Sequence, residues 1–181
     1  MREEKRMVVV RIDPRLTMSD GFYGGLLAGV ALSVFFAAID LIFLHEPIDS
    51  IYIFMASAVL GKAALGGGWL TIALGIGVFF LVAAIGGIFY SVLARQFTAL
   101  AKSPTSSLGG LAYGFIVWLL VVDVIIPSTG MQQTVDHPLW ISAAGISIFY
   151  GSALCEYLAS VARLRAARAE RATETTGAAA S

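Results

Sequence analysis

Four apolar stretches, each long enough to cross a bilayer, take up most of this chain: 21–44, 69–93, 108–127 and 139–162. Each runs 20 to 25 residues and holds a single formal charge or none. About 20 helical residues cover a hydrocarbon core about 30 Å thick. Lipid offers backbone N–H and C=O groups no partners, so a spanning segment of this kind has to be a helix. The expected fold is therefore all-α, a polytopic membrane protein with four transmembrane helices. With 58% hydrophobic and 13% charged residues in 181, the chain has room for one small bundle and no second domain.

The charges set an expected orientation. Segment 1–20 is basic (Arg2, Lys5, Arg6, Arg11, Arg15), as are the 94–107 connection (Arg95, Lys102) and the tail (Arg163, Arg165, Arg168, Arg171), whereas the other two connections hold only Lys62. The positive-inside rule places the basic segments, and so both termini, in the cytoplasm. The organisation that follows is a basic N-terminal segment 1–20, a transmembrane domain 21–162, and a tail 163–181 that is basic and then disordered from about Thr173. The expected location is the inner (plasma) membrane. A basic lead into an apolar run also describes a signal peptide, but the 24-residue run 21–44 exceeds a signal core and no small-x-small cleavage site follows it. An uncleaved anchor is the expectation.

The punctuation between spans is readable. Ser19 or Asp20 is a plausible N-cap for the first helix. His45-Glu46-Pro47 stops it, and Asp49-Ser50 can cap a second, shorter helix over 51–64. Its apolar core, 51–60, is too short to span, so it is expected to be re-entrant or interfacial. Gly66-Gly67-Gly68 breaks it before Trp69. Trp69 and Trp140 open the second and fourth spans, where indoles favour the headgroup layer. A parallel two-plus-two repeat is also suggested. Gly24-Gly25-Leu26 with Gly29 recurs as Gly109-Gly110-Leu111 with Gly114, an offset of 85, and both spans end with an aspartate. Gly75-Ile76-Gly77-Val78-Phe79-Phe80 recurs as Gly145-Ile146-Ser147-Ile148-Phe149-Tyr150, an offset of 70. Duplicated halves are a common transporter architecture.

Helix packing is the clearest role for particular residues. Gly21, Gly25 and Gly29 recur every four residues, as do Gly110 and Gly114, while Ala143, Ser147, Gly151, Cys155 and Ala159 form one small-residue ladder in the fourth span. Helices in lipid associate where small faces let backbones approach, inside the bundle or between copies. Cys155, the lone cysteine, excludes an internal disulfide and by itself makes neither a zinc site nor a redox pair.

Three acids fall inside the spans: Asp40, Asp123 and Glu156. An acid at the bilayer centre costs roughly 2.5–3.5 kcal/mol. Two readings stand. In one, the aspartates reach the outer interface and Glu156 pairs with Arg95 or Arg163. In the other, Asp40 and Asp123 face each other as a proton- or cation-binding pair. His45 and His137 lie on the same side as the aspartates and are weak metal candidates, because no HxxxH or HExxH spacing accompanies them. No histidine lies at mid-membrane depth to ligate a haem, and no cofactor is expected. The tail arginines suit anionic headgroups of the bilayer. No soluble domain exists to read nucleic acid.

Taken with the short helix at 49–61, the Trp-led second span, the Gly109–Gly114 run ending at Pro127 and the later Phe149-Tyr150-Gly151, this pattern resembles the small four-helix bacterial inner-membrane proteins of the YagU-like kind, over roughly residues 20–165. The resemblance implies a location and a fold, and no biochemical activity. Such proteins often carry a histidine one turn before the glycine of spans two and four. This chain has Thr71 and Ile141 there, so no role of that histidine carries over. The expected function is that of a non-catalytic packing or accessory subunit, self-associating or held in a larger membrane complex. The alternative is a small proton- or cation-coupled transporter or channel using Asp40 and Asp123.

Overall fold

A computed structural model describes residues 16–45, 47–96, 105–129 and 138–179. These residues are helical with no strand among them. The order is α1 (Met18–Ile39), a π-helical turn (Asp40–Leu44), α2 (Ser50–Leu60), a 3-10 segment (Gly61–Gly66) and α3 (Trp69–Gln96). There follow α4 (Thr105–Leu120), a second π segment (Val121–Ile125), the short α5 (Ile126–Thr129), α6 (Leu139–Ala144), a third π segment (Gly145–Ser152) and α7 (Ala153–Ala179). Four continuous helical runs are long and apolar enough to cross a membrane: Met18–Leu44, Trp69–Gln96, Ser107–Ser128 and Leu139–Arg171. Large apolar side chains cover the outside, among them Leu27, Val34, Phe43, Leu70 and Phe89. So much exposed hydrocarbon suits lipid and not water. This is a multi-pass membrane protein.

The first helix begins one turn earlier than expected, and its cap is Thr17 instead of Ser19 or Asp20. Thr17 Oγ1 accepts from the Asp20 N–H at 3.2 Å while Asp20 Oδ2 accepts from the Thr17 N–H at 2.6 Å. This capping box satisfies two otherwise unpaired donors reciprocally. At the far end the π turn closes on His45, whose left-handed φ of 57° reverses the chain.

The short helix exists as expected, with Asp49 at its N-cap but making no side-chain cap bond. It docks on the flanks of the spans and not beyond their tips. Tyr52 shares a hydrogen bond with Ser33 of α1, and its ring meets Phe79 of α3 edge-on with centroids 6.0 Å apart. Gly75 allows this approach, because a Cβ there would collide with the Tyr52 carbonyl. The return to α3 runs through Gly67 and Gly68, at φ 67° and 114°. Gly67 pairs that φ with ψ −171°, a region open essentially to glycine alone.

The bundle has four sides, and three are closed. α3 packs on α1, α4 packs on α6, the third π segment and α7, and α1 packs on that same fourth span. α3 and α4 are not among the closely packed helix pairs. The first and last spans meet at one end, where Arg165 Nη2 donates to Asp20 Oδ1 at 2.7 Å. Arg95 Nε also donates there, to the Leu16 carbonyl. The tail departs from expectation: α7 stays helical to Ala179. Its Ala, Arg and Glu content has high helix propensity, and no proline interrupts it. Segment 1–15, the 97–104 connection and the 130–137 connection lie outside the described residues.

Candidate functional site

Two glycine seams hold the bundle together, and both lie within one chain. Gly21 and Gly25 of α1 face Gly87 and Ala83 of α3 so closely that a Cβ on Gly21 would sit 2.5 Å from the Gly87 carbonyl oxygen. A Cβ on Gly29 would lie 3.0 Å from the Ala83 Cβ. In the second half Gly110 faces Gly151 and Cys155, with its Cβ position 2.5 Å from the Gly151 carbonyl oxygen. Gly114 faces Ile146 and Ser147, at 2.6 Å from the Ile146 carbonyl oxygen and 2.7 Å from the Ser147 Cα. The small faces expected to mediate packing thus meet partners in their own bundle. Shifted by the repeat offset of 70, Gly151 corresponds to the exposed Leu81, half a turn from the Ala83 that Gly25 meets, so each hairpin has a glycine seam but the contacts do not follow the repeat offset.

The intramembrane acids part company. Asp40, at the first position of its π turn, is 0% exposed and accepts from Ser50 Oγ at 3.1 Å. Ser50 is the first residue of α2, and its hydroxyl also reaches the Pro47 carbonyl. Asp123 also lies in a π turn, yet it is exposed. The two carboxylates therefore do not share an enclosed site. Glu156 is exposed as well. It accepts from Ser107 Oγ at 3.0 Å and pairs with Arg163 at 3.9 Å, one of the two partners expected for it, while the other, Arg95, turns to Leu16. His45 is exposed at its reversal, and His137 lies outside the described residues. Among the described residues no three His, Cys, Asp or Glu come together as a metal site.

Three tyrosines that the sequence reading passed over bridge the halves. Tyr150 donates to the Ala83 carbonyl at 2.7 Å and Tyr113 to the Gly86 carbonyl at 2.5 Å, both on α3. Tyr90 lies 3.2 Å from Cys155 Sγ within hydrogen-bond geometry, and its ring packs edge-on against Tyr113 at 4.8 Å. A phenol in lipid needs a partner for its hydroxyl, and these find theirs across the bundle. A sequence signal was present for two of them: Tyr113-Gly114 and Tyr150-Gly151 set a tyrosine beside a seam glycine. It is imperfect, because Tyr23-Gly24 has the same form and Tyr23 is exposed.

Above the tyrosines the fourth side of the bundle is a cleft of about 410 Å³. One wall is the α3 stripe Phe79, Val82, Gly86, Phe89 and Leu93, spaced alternately three and four residues apart as one helix face requires. The facing wall is Tyr113, Ile116, Val117, Leu120 and Val121 of α4 and its π extension. The cleft opens outward, where Val82, Phe89, Ile116 and Leu120 are exposed. Its floor hydroxyls are turned into α3 carbonyls, so the lining is almost wholly hydrocarbon. Comparison with family models, with curated proteins and with solved structures gives no match to this chain.

Proposed function

We propose that this chain is a non-catalytic accessory protein of a bacterial inner membrane, with both termini in the cytoplasm, that packs beside lipid or membrane partners. The observation that carries this reading is where its polar side chains go. The bridging tyrosines are spent on helix carbonyls and a thiol, Asp40 is enclosed beside Ser50, and Asp123 stands apart on the surface. That arrangement supports a scaffold over a polar conduit. The 11-to-1 division of Lys and Arg between the two sets of connections supports the orientation. Association through the seam glycines is disfavoured, since they face their own bundle, so a partner meets the outer faces or the anionic headgroups beside the tail.

A second reading, a proton- or cation-coupled transporter, draws on Asp40 alone: a buried acid in a π turn is a functional-site pattern. Proton and cation flux into proteoliposomes, with the Asp40→Asn and Asp123→Asn variants alongside, separates the two. The scaffold reading expects flux equal to empty vesicles for every form and unchanged assembly. Flux that Asp40→Asn abolishes would establish the transporter.

A further inference from the structure

We propose that Glu156 and Arg163, with Ser107 beside them, form a binding site for a phospholipid headgroup that joins a phosphate to a primary ammonium. Glu156, Ser160 and Arg163 follow one another at intervals of four and three residues, which sets them on one face of the fourth span. That face is turned outward because Leu154, Cys155, Leu158 and Ala159 are buried in the bundle. The side chains of Arg163 and Glu156 are 63% and 59% exposed. Their depth follows from Ser107, which opens the third span and donates to Glu156 Oε1 at 3.0 Å. The carboxylate therefore lies level with the end of a span, at the boundary between hydrocarbon and headgroups.

Neither charge is fully matched within the chain. Arg163 Nη2 stands 3.9 Å from Glu156 Oε2, well beyond the roughly 2.7–2.9 Å of a charge-assisted hydrogen bond. Arg163 Nε donates to the Ala159 carbonyl at 3.3 Å. Among the described residues, this leaves the Nη donors and Glu156 Oε2 without a hydrogen bond. At a boundary of falling dielectric such charges gain more from a partner than they do in bulk water. The pairing of charges selects the headgroup. A phosphate suits the guanidinium and an ammonium suits the carboxylate, and one zwitterion supplies both. An anionic headgroup offers a phosphate alone and meets repulsion from Glu156. A quaternary ammonium has the charge but no N–H to donate to Oε2. This inference stands independently of the accessory-protein reading and needs only the bundle in its membrane.

The test is native mass spectrometry of the full chain from mixed micelles holding equal amounts of phosphatidylethanolamine and phosphatidylcholine with identical acyl chains, so that tail contacts cancel. One phosphatidylethanolamine per chain is expected, in several-fold excess over phosphatidylcholine. Glu156→Gln, which keeps an acceptor for Ser107, should bring the two lipids to parity, and Arg163→Gln should lower both. Should either variant fail to fold, mono- and dimethylated phosphatidylethanolamine offered to the wild-type chain should be retained progressively less, because each methyl removes an N–H. Phosphatidylglycerol should bind less than phosphatidylethanolamine to the wild type and gain on Glu156→Gln. Equal retention of phosphatidylethanolamine and phosphatidylcholine by the wild type overturns the proposal, as does a preference that Glu156→Gln leaves intact. So does phosphatidylglycerol exceeding phosphatidylethanolamine on the wild-type chain, or a second copy of the chain in place of the lipid that Glu156→Gln releases.

Discussion

In the two-plus-two arrangement of the sequence repeat, the side where α1 meets the fourth span corresponds to the side where α4 meets α3. The first is closed. Phe35 stacks on Phe149 with centroids 4.4 Å apart, Gly145 yields room for the Phe35 ring, and Gly24 lies against Tyr157 and Leu154. The second is open: Tyr113 of α4 donates to the Gly86 carbonyl of α3 and meets the Tyr90 ring edge-on, and a cleft lies above them. The two aspartates differ in the same way. Asp40 is enclosed because α2 brings Ser50 to it, whereas the second hairpin has no such inserted helix in the described residues and Asp123 stays exposed. Equivalent helix pairs are thus finished differently by what is placed between them. Glycine seams set the distance between helices, and bulky or inserted groups decide whether the remaining space closes.

Removing α2 from its dock should erase the difference between hairpins at the largest cost. Gly75→Ala forces a Cβ into the Tyr52 carbonyl, and overpacking against backbone should cost about 3 kcal/mol. Gly77→Ala, with nothing within 4 Å of its Cβ position, should hold or raise stability, because alanine is the better helix former. Thermal unfolding in mild detergent compares the two. Next in size, Asp40→Ala removes the buried carboxylate that accepts from Ser50, whose hydroxyl keeps the Pro47 carbonyl, and should cost about 1–3 kcal/mol, while Asp123→Ala leaves the unfolding midpoint where it was. Equal responses from the two aspartates would dissolve the contrast drawn between them. Tyr150→Phe removes one bridge to α3 and should cost about 0.6–1 kcal/mol, seen as a small midpoint drop that Tyr113→Phe deepens. The smallest effect should come from Ser147, whose buried Oγ has no hydrogen-bond partner among the described residues. Ser147→Ala should be neutral or gain roughly 0.5 kcal/mol in the same assay.

The spans were legible because apolar length is a strong signal, and the seams because glycine every four residues marks a face. Gly21, Gly25, Gly110, Gly114, Ser147 and Gly151 all lie where that spacing implies. Whether such a face meets its own chain or another is not written in the spacing, and here it depends on the rotation of each helix. The same rotation hid the tyrosine bridges and the cleft, since Tyr113 and Tyr150 look like any aromatics in an apolar run. Asp40 and Asp123 looked alike because each sits near the end of its span; only the position of Ser50 separates them. The cap moved from Ser19 or Asp20 to Thr17 because Asp20 serves as the reciprocal partner in the box. The tail was read as disordered from its small polar residues, while its alanine, arginine and glutamate favour continued helix.

The account rests on the seams joining helices of one molecule. Unfolding midpoints of the wild-type chain and of Gly25→Ala and Gly110→Ala, measured in detergent over a hundredfold range of protein concentration, test this directly. Both variants should melt lower than wild type by a margin that is the same at every dilution. A deficit that grows or vanishes with dilution, or its absence in both variants, would place the glycine faces between molecules and contradict the fold described.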